Sequence, residues 1–153
     1  MDRRRVIFLD FDGVVTTPES DYVFVPELMT RLGRLLEETD ACIVISSSRR
    51  CGTLEQTKES IVSPDNTHVR NHPFPYYDRI VGQTPFVITS VRGEQVAAYL
   101  EMHPEVERYV ILDDERRFLP EQFKHLVFVD EETGLTDKDV ERAEEILLNE
   151  KRN

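Results

Sequence analysis

Val6-Ile7-Phe8-Leu9-Asp10-Phe11-Asp12-Gly13 is the stretch on which the reading of this chain turns. Four consecutive apolar residues are too few for a helix and fit a strand buried on both faces, as in a parallel sheet. An acidic turn with a glycine follows at once. The pattern recurs: residues 41–45 run into Ser46-Ser47-Ser48-Arg49-Arg50, and residues 108–112 run into Asp113-Asp114. Further strands are predicted over residues 126–129 and, briefly, over residues 79–81.

Between these runs the spacing turns helical. Pro26 opens a helix on which Leu28, Met29, Leu32, Leu35 and Leu36 share a face. Thr53 with Gln56 forms a capping-box start for a short helix. Residues 93–102 carry Val96, Ala97, Tyr99 and Leu100 as an apolar stripe closed by Pro104, and Thr136 caps a last helix with Val140, Ala143, Ile146 and Leu147 on one side. Residues 61–91, with Pro64, Pro73, Pro75 and Pro85, read as largely extended or looped, a small lid in which Phe74, Tyr76 and Tyr77 either pack or offer a substrate surface.

Strands alternating with helices predict an α/β fold, a doubly wound (Rossmann-like) parallel sheet with helices on both faces. Ligands in such sheets bind beyond the carboxyl ends of the strands. Asp10 and Asp12, Ser46 and Ser47, and Asp113 and Asp114 are therefore expected to face one crevice.

The 153 residues suit one domain spanning 1–153, and 39% hydrophobic with 32% charged residues suits a soluble globular protein. With 19 Lys+Arg against 30 Asp+Glu the net charge is −11, which excludes a broad basic footprint for nucleic acid or an anionic membrane. The charge is uneven: residues 101–153 hold 16 acidic and 8 basic side chains, whereas residues 49–92 hold six basic against four acidic. An anionic substrate belongs in the middle of the chain. Cys42 and Cys51, with no signal peptide, suggest reduced thiols and a cytoplasmic setting. Arg3-Arg4-Arg5 before an apolar run imitates a targeting segment, but Asp10 interrupts it too early for a signal peptide or a membrane span.

Carboxylates gathered at one crevice repel one another, and a divalent cation is the usual means of keeping them ionised. Hard oxygen donors point to Mg²⁺, and His68, His72, His103 and His125 show no ligand spacing. Magnesium shares its shell readily with phosphate, so a phosphate ester is the expected substrate class. One carboxylate of the Asp10/Asp12 pair can attack phosphorus while the other shuttles a proton.

These residues resemble the haloacid-dehalogenase-like (HAD) phosphatases. The family's apolar strand with DxD and glycine is matched by residues 6–15, its strand ending in Ser or Thr by Ile43-Val44-Ile45-Ser46, its Lys or Arg near a helix start by Arg92 in Arg92-Gly93-Glu94, and its strand ending in DD by Val110-Ile111-Leu112-Asp113-Asp114. More narrowly, the order of Ser46 to Arg50, Gly82 to Pro85, Arg92 to Glu94, Leu112 to Asp114 and Gly134 to Thr136 looks like the small HAD domain of multi-domain RNA-repair proteins. Two departures stand out: Arg49 replaces the usual Trp of the second motif, which removes an aromatic platform there, and Gln83 separates Gly82 from Thr84.

The resemblance implies that Asp10 is the nucleophile that forms an aspartyl-phosphate and Asp12 the general acid/base. Ser46 would bind the phosphoryl oxygens, with Ser47 as its neighbour, and Arg92 would neutralise phosphoryl charge. Arg49, Arg50 and Gly93 are further substrate-binding candidates. Asp113 and Asp114 would hold Mg²⁺ with Asp10 and Asp12, the latter through its main-chain carbonyl.

The leading expectation is a Mg²⁺-dependent phosphomonoesterase. Only 33 residues lie between Asp12 and Ser46 and 45 between Ser46 and Arg92, which leaves no room for a large cap. An open site suits a phosphate at the end of a large molecule, such as an RNA or DNA end. The alternatives are a phosphatase of a small metabolite or nucleotide, a receiver-like phospho-acceptor module, and a non-catalytic binding domain. No membrane partner is expected; monomer and dimer both remain open, as does a cap supplied by a partner.

Overall fold

A computed structural model of the chain describes residues 4–62, 73–88 and 91–148. Pro64, Asp65, His68, Arg70 and His72, and with them part of the expected lid, lie outside the described residues. The elements in chain order are β1 (Arg4–Leu9), α1 (Pro26–Thr39), β2 (Cys42–Ile45), α2 (Leu54–Ser60), β3 (Ile80–Gln83), α3 (Arg92–Met102), β4 (Val106–Asp113), β5 (Leu126–Phe128) and α4 (Asp137–Leu148). The five strands form one parallel sheet in the order β3-β2-β1-β4-β5.

The order follows from burial. β1 and β2 carry unbroken apolar runs and occupy the interior of the sheet, while β3 and β5, with three or four residues each, take its edges. Residues of β1 alternate between two cores. Ile7 and Leu9 pack with Leu32 of α1 and Val140 of α4, whereas Val6 and Phe8 pack with Val96 and Tyr99 of α3. Helices therefore cover both faces, and the chain reverses its direction of winding at the boundary between β1 and β4, the place where a doubly wound sheet opens a crevice.

Register sets the carboxyl ends of the three central strands level. Leu9 lies opposite both Ile45 and Leu112. The ladder then runs one residue further: Asp10 N–H donates to Leu112 O at 3.1 Å, Ser46 N–H to Leu9 O at 2.8 Å, and Thr84 N–H to Ile45 O at 2.9 Å. Asp10, Ser46 and Asp113 thus stand side by side.

Caps follow the sequence closely. Thr53 and Gln56 exchange both capping-box hydrogen bonds at 3.1 Å, and Thr136 and Asp139 do the same at 3.2 and 2.9 Å. Pro26 starts α1, which ends at Asp40 in the left-handed region (φ 54°).

Three differences from the sequence reading have local causes. β1 begins at Arg4 and β4 at Val106, because the outer turn of that pair is solvent-facing and tolerates charged residues; a register shift between Arg4 and Arg5 marks it. β3 lies over Ile80–Gln83 and not over residues 79–81, since Tyr77–Arg79 closes as a 3₁₀ turn. Gly82 sits within that strand because a Cβ there would stand 2.8 Å from Tyr99 Oη. Phe74 is buried and packs edge-on or tilted against Phe11, Phe24 and Tyr76, so of the proline-flanked aromatics it belongs to the core, while Tyr77 is exposed.

Candidate active site

The crevice at the carboxyl ends of β1 and β4 gathers Asp10, Asp113 and Asp114, which offer carboxylate oxygens all within 4.8 Å of one another. Asp10 and Asp113 are buried and Asp114 is half-buried. Gly13 makes this possible: it turns the chain with φ of 90°, and a Cβ on it would collide with the Asp114 carboxylate.

Arg92, at the start of α3, reaches across the cluster. Its Nη1 lies 2.9 Å from Asp113 Oδ2, 3.2 Å from Asp10 Oδ1 and 3.1 Å from Ser46 O. Glu115 Oε1 stands 4.0 Å from its Nε. Nη2 has no partner among the described residues, so part of the guanidinium fork is unspent. Burial works against the Arg92 charge, but Asp113 and Asp10 outweigh it and hold the group above its already high ordinary value.

One arginine does not neutralise three acids. Burial, then repulsion from Asp113, pushes the Asp10 carboxyl well above the usual carboxylate range against the pull of Arg92, and its hydrogen bond with Asp114 adds to the rise. Burial likewise pushes Asp113 up to about 7 although Arg92 opposes it. Ligands that are all hard oxygens, crowded and short of positive charge, fit a divalent metal ion. The Ser46 hydroxyl oxygen is buried beside this cluster with no hydrogen-bond partner among the described residues. A buried hydroxyl left unpaired is costly, and a bound oxyanion is a natural partner for it.

Asp12 takes a different place from the one its position in the chain suggests. Its carboxylate is not part of the three-acid cluster. Arg49 holds it in a fork, Nε to Oδ2 at 3.1 Å and Nη2 to Oδ1 at 2.6 Å, and Thr16 Oγ1 donates to Oδ1 at 3.0 Å. The expectation of four converging carboxylates is met by three, because Arg49, brought in from the turn after β2, claims the fourth.

The other expected substrate contacts are spread over nearby structural bonds. Ser47 is buried and its Oγ accepts the Arg49 N–H at 3.2 Å. Arg50 donates from Nε to Ser47 O at 2.7 Å and from Nη1 to Thr84 O, Thr84 Oγ1 and Pro85 O at 2.6, 2.8 and 3.2 Å, with its guanidinium 4.4 Å from the Phe86 ring. Burial and the nearby Arg92 charge lower its pKa. Gly93 faces away from the crevice: a Cβ there would stand 2.7 Å from Phe118 Cα, its N–H donates to Arg117 O at 3.0 Å, and its carbonyl accepts from Gln122 Nε2 at 2.9 Å.

Sequence reasoning passed over Thr16, Phe24 and Gln122. Thr16 could have been suspected as a hydroxyl four residues from Asp12; Phe24 and Gln122 act through packing and through a helix-start bond that only the tertiary structure reveals.

The family model for the HAD domain in Swiss Army Knife RNA repair proteins matches residues 6–140. The chain belongs to this family. No curated protein matches it, and no solved structure does. The match covers every element that supplies the crevice, from Asp10 through Arg92 to Asp114. HAD membership points to a hydrolase of the phosphatase kind, and HAD domains generally use a divalent metal, which agrees with the acidic cluster. The strand order also separates the chain from receiver-type modules, which are wound 2-1-3-4-5. No helix among the described residues is long and apolar enough to cross a membrane.

Proposed function

We propose that the protein is a Mg²⁺-dependent phosphomonoesterase that works through an aspartyl-phosphate on Asp10 and acts on the terminal phosphate of a nucleic acid. The observation that carries this reading is the buried constellation of Asp10, Arg92 and Asp113 beside an unpaired Ser46 hydroxyl. It supplies a nucleophile, a cation for phosphoryl charge and a vacant hydrogen-bond donor within one crevice.

Asp10, Asp113 and Asp114 would hold Mg²⁺, together with the Asp12 carbonyl. When bound, the ion would offset the carboxylate charge and polarise a phosphoryl oxygen. Arg92 uses its unspent Nη2 on the phosphoryl group, and Ser46 donates its hydroxyl to another phosphoryl oxygen. An Asp10 carboxylate oxygen attacks phosphorus; the bond from phosphorus to the ester oxygen breaks, and that oxygen takes a proton from Asp12. Asp12, now a carboxylate, takes a proton from the water that attacks the phosphoryl group. The bond from phosphorus to Asp10 breaks, and inorganic phosphate leaves. Most of the rate comes from positioning and charge, which suits a site whose acids and arginine are already locked together.

A nucleic-acid end is favoured by the family's association with RNA repair and by the gathering of Arg49, Arg50 and Arg92 around the crevice of a chain whose net charge is −11. The test is phosphate release, with and without Mg²⁺, from 3′- and 5′-phosphorylated oligonucleotides, nucleotides and sugar phosphates, with Asp10→Asn alongside. Metal-dependent release that is lost in Asp10→Asn, and is fastest on oligonucleotides, is expected. Preference for a nucleotide or sugar phosphate would replace the nucleic-acid end by a small metabolite, and release that survives Asp10→Asn would refute the nucleophile.

A further inference from the structure

Arg49 is the least expected residue of the crevice, and its donors are divided in a telling way. Nε and Nη2 are spent on the Asp12 carboxylate, and Nη2 also donates to Tyr22 O at 2.5 Å. The guanidinium lies 5.2 Å from the centre of the Phe24 ring, so one face is covered by an aromatic that is itself buried against Phe11 and Phe74. The carbonyl that receives Nη2 belongs to a residue with φ of 59°, next to Asp21 with φ of 56°. Two successive side-chain-bearing residues in the left-handed region are an uncommon conformation that the fold must sustain. The turn ahead of them is fixed by mutual bonds between Thr17 and Ser20. Arg49 is thereby held on three sides, with a side chain only 17% exposed. Nη1 alone, with two N–H groups, has no partner among the described residues.

The direction in which Nη1 serves follows from the chemistry. In an in-line displacement the leaving oxygen departs opposite the attacking Asp10 oxygen. Asp12 must reach that leaving oxygen to protonate it. On the phosphatase reading, Arg49, being bonded to Asp12, stands on the leaving-group side, while Arg92 and Ser46 attend the transferred phosphoryl group.

We propose that Arg49 Nη1 binds a second phosphate, carried on the leaving group next to the terminal phosphate that is removed. This rests on the phosphatase reading and narrows it: the substrate is an end-phosphorylated chain of at least two nucleotides, recognised by the charge of its adjacent phosphodiester. A rigid guanidinium with one edge spent and one edge free suits that task, because its geometry is fixed before the ligand arrives. Arg49 is at once a positioning residue for Asp12 and a specificity residue for the substrate.

The test uses dinucleotides phosphorylated at the 3′ or the 5′ end, each made with a normal internal phosphodiester or with an uncharged methylphosphonate of nearly the same shape. Wild-type kcat/KM is expected to favour the charged linkage by about 10- to 100-fold, the range for a hydrogen bond to a charged partner. In Arg49→Ala activity on both substrates falls, since Asp12 loses its fork, but the ratio collapses towards one. Arg49→Lys restores part of the ratio through its charge. Arg79→Ala removes an equal charge at the opposite end of the sheet, where Arg79 pairs with Asp40, and leaves the ratio unchanged. Equal hydrolysis of the two linkages by the wild type overturns the proposal while the phosphatase reading stands. An equal drop of the ratio in Arg79→Ala also overturns it, because the preference would then reflect overall charge. Hydrolysis of neither substrate, with other phosphate esters also untouched, removes the phosphatase reading and this inference with it.

Discussion

Replacing Asp113 by Asn should stabilise the metal-free protein, and the effect should shrink as the pH falls towards 4. Burial lifts the Asp113 pKa from an ordinary 3.8 to about 7. Each pKa unit corresponds to about 1.4 kcal/mol, so ionising Asp113 in the fold without a metal costs about 4 kcal/mol. Because the folded value is the raised one, the protonated group favours the fold. That contribution is complete below the unfolded pKa near 4 and is lost as pH rises through 7. Between pH 5 and pH 8 the change is about 2–3 kcal/mol, which for a chain of this size amounts to a fall in Tm of about 5–10 °C. The chain has no Trp, so far-ultraviolet circular dichroism melts in chelator, at pH 5 to 8, are the suitable assay. The wild type should lose Tm towards alkaline pH, and Asp113→Asn should lose much less, with a residual slope from Asp10, whose carboxyl is raised as well. Parallel Tm curves for the two proteins across that range would refute the reasoning, since burial of the Asp113 charge would then cost nothing.

Magnesium should reverse this cost: at 100 times its Kd it adds about 2.7 kcal/mol of stability, measured as a Tm rise at pH 8, and less at pH 5, where the ligands hold protons. Gly93→Ala places a Cβ 2.7 Å from the Phe118 main chain, which cannot give way as a side-chain tip can; urea denaturation should show a loss of about 1–3 kcal/mol. Phe24→Ala opens a hole between Phe11 and Phe74 and should cost about 3–5 kcal/mol in the same assay, with phosphate release falling further than stability alone explains because Arg49 loses its support.

The fold was legible because its central strands are local statements. Residues 6–9 and 43–45 are apolar without interruption, and no helix of that length would bury them. The elements that slipped are those whose stability is borrowed. Gly82 and Gln83 have poor strand propensity and form β3 only because β2 offers an open edge and Tyr99 fills the space above the glycine. The 3₁₀ turn over Pro120–His125 depends on Gln122, which accepts from Leu119 N–H and donates to Gly93 O some 29 residues away in the chain. No local pattern announces such a bond.

The candidate site divides along the same line. Asp10, Ser46 and Asp113 end strands whose register is fixed by the sheet, so reading the strands was enough to bring them together. Asp12 lies beyond the last ladder bond, where the pleat no longer dictates direction, and its side chain goes to whichever partner offers the most. Folding supplies Arg49 from the turn after β2, 37 residues on, and Thr16 from its own turn. A charged fork and a hydroxyl outweigh a place among three acids that already repel one another. The contrast with Arg92 makes the point sharper. Both arginines touch an acid of the Asp10-Phe11-Asp12 turn, yet Arg92 is seated at a helix start among buried carboxylates, whereas Arg49 is seated on an aromatic ring and a strained carbonyl. A sequence motif names one arginine and treats the other as a substitution. The packing shows that the second divides the two carboxylates of the turn, leaving Asp10 in the three-acid cluster with Asp113 and Asp114 and Asp12 in the hands of Arg49 and Thr16.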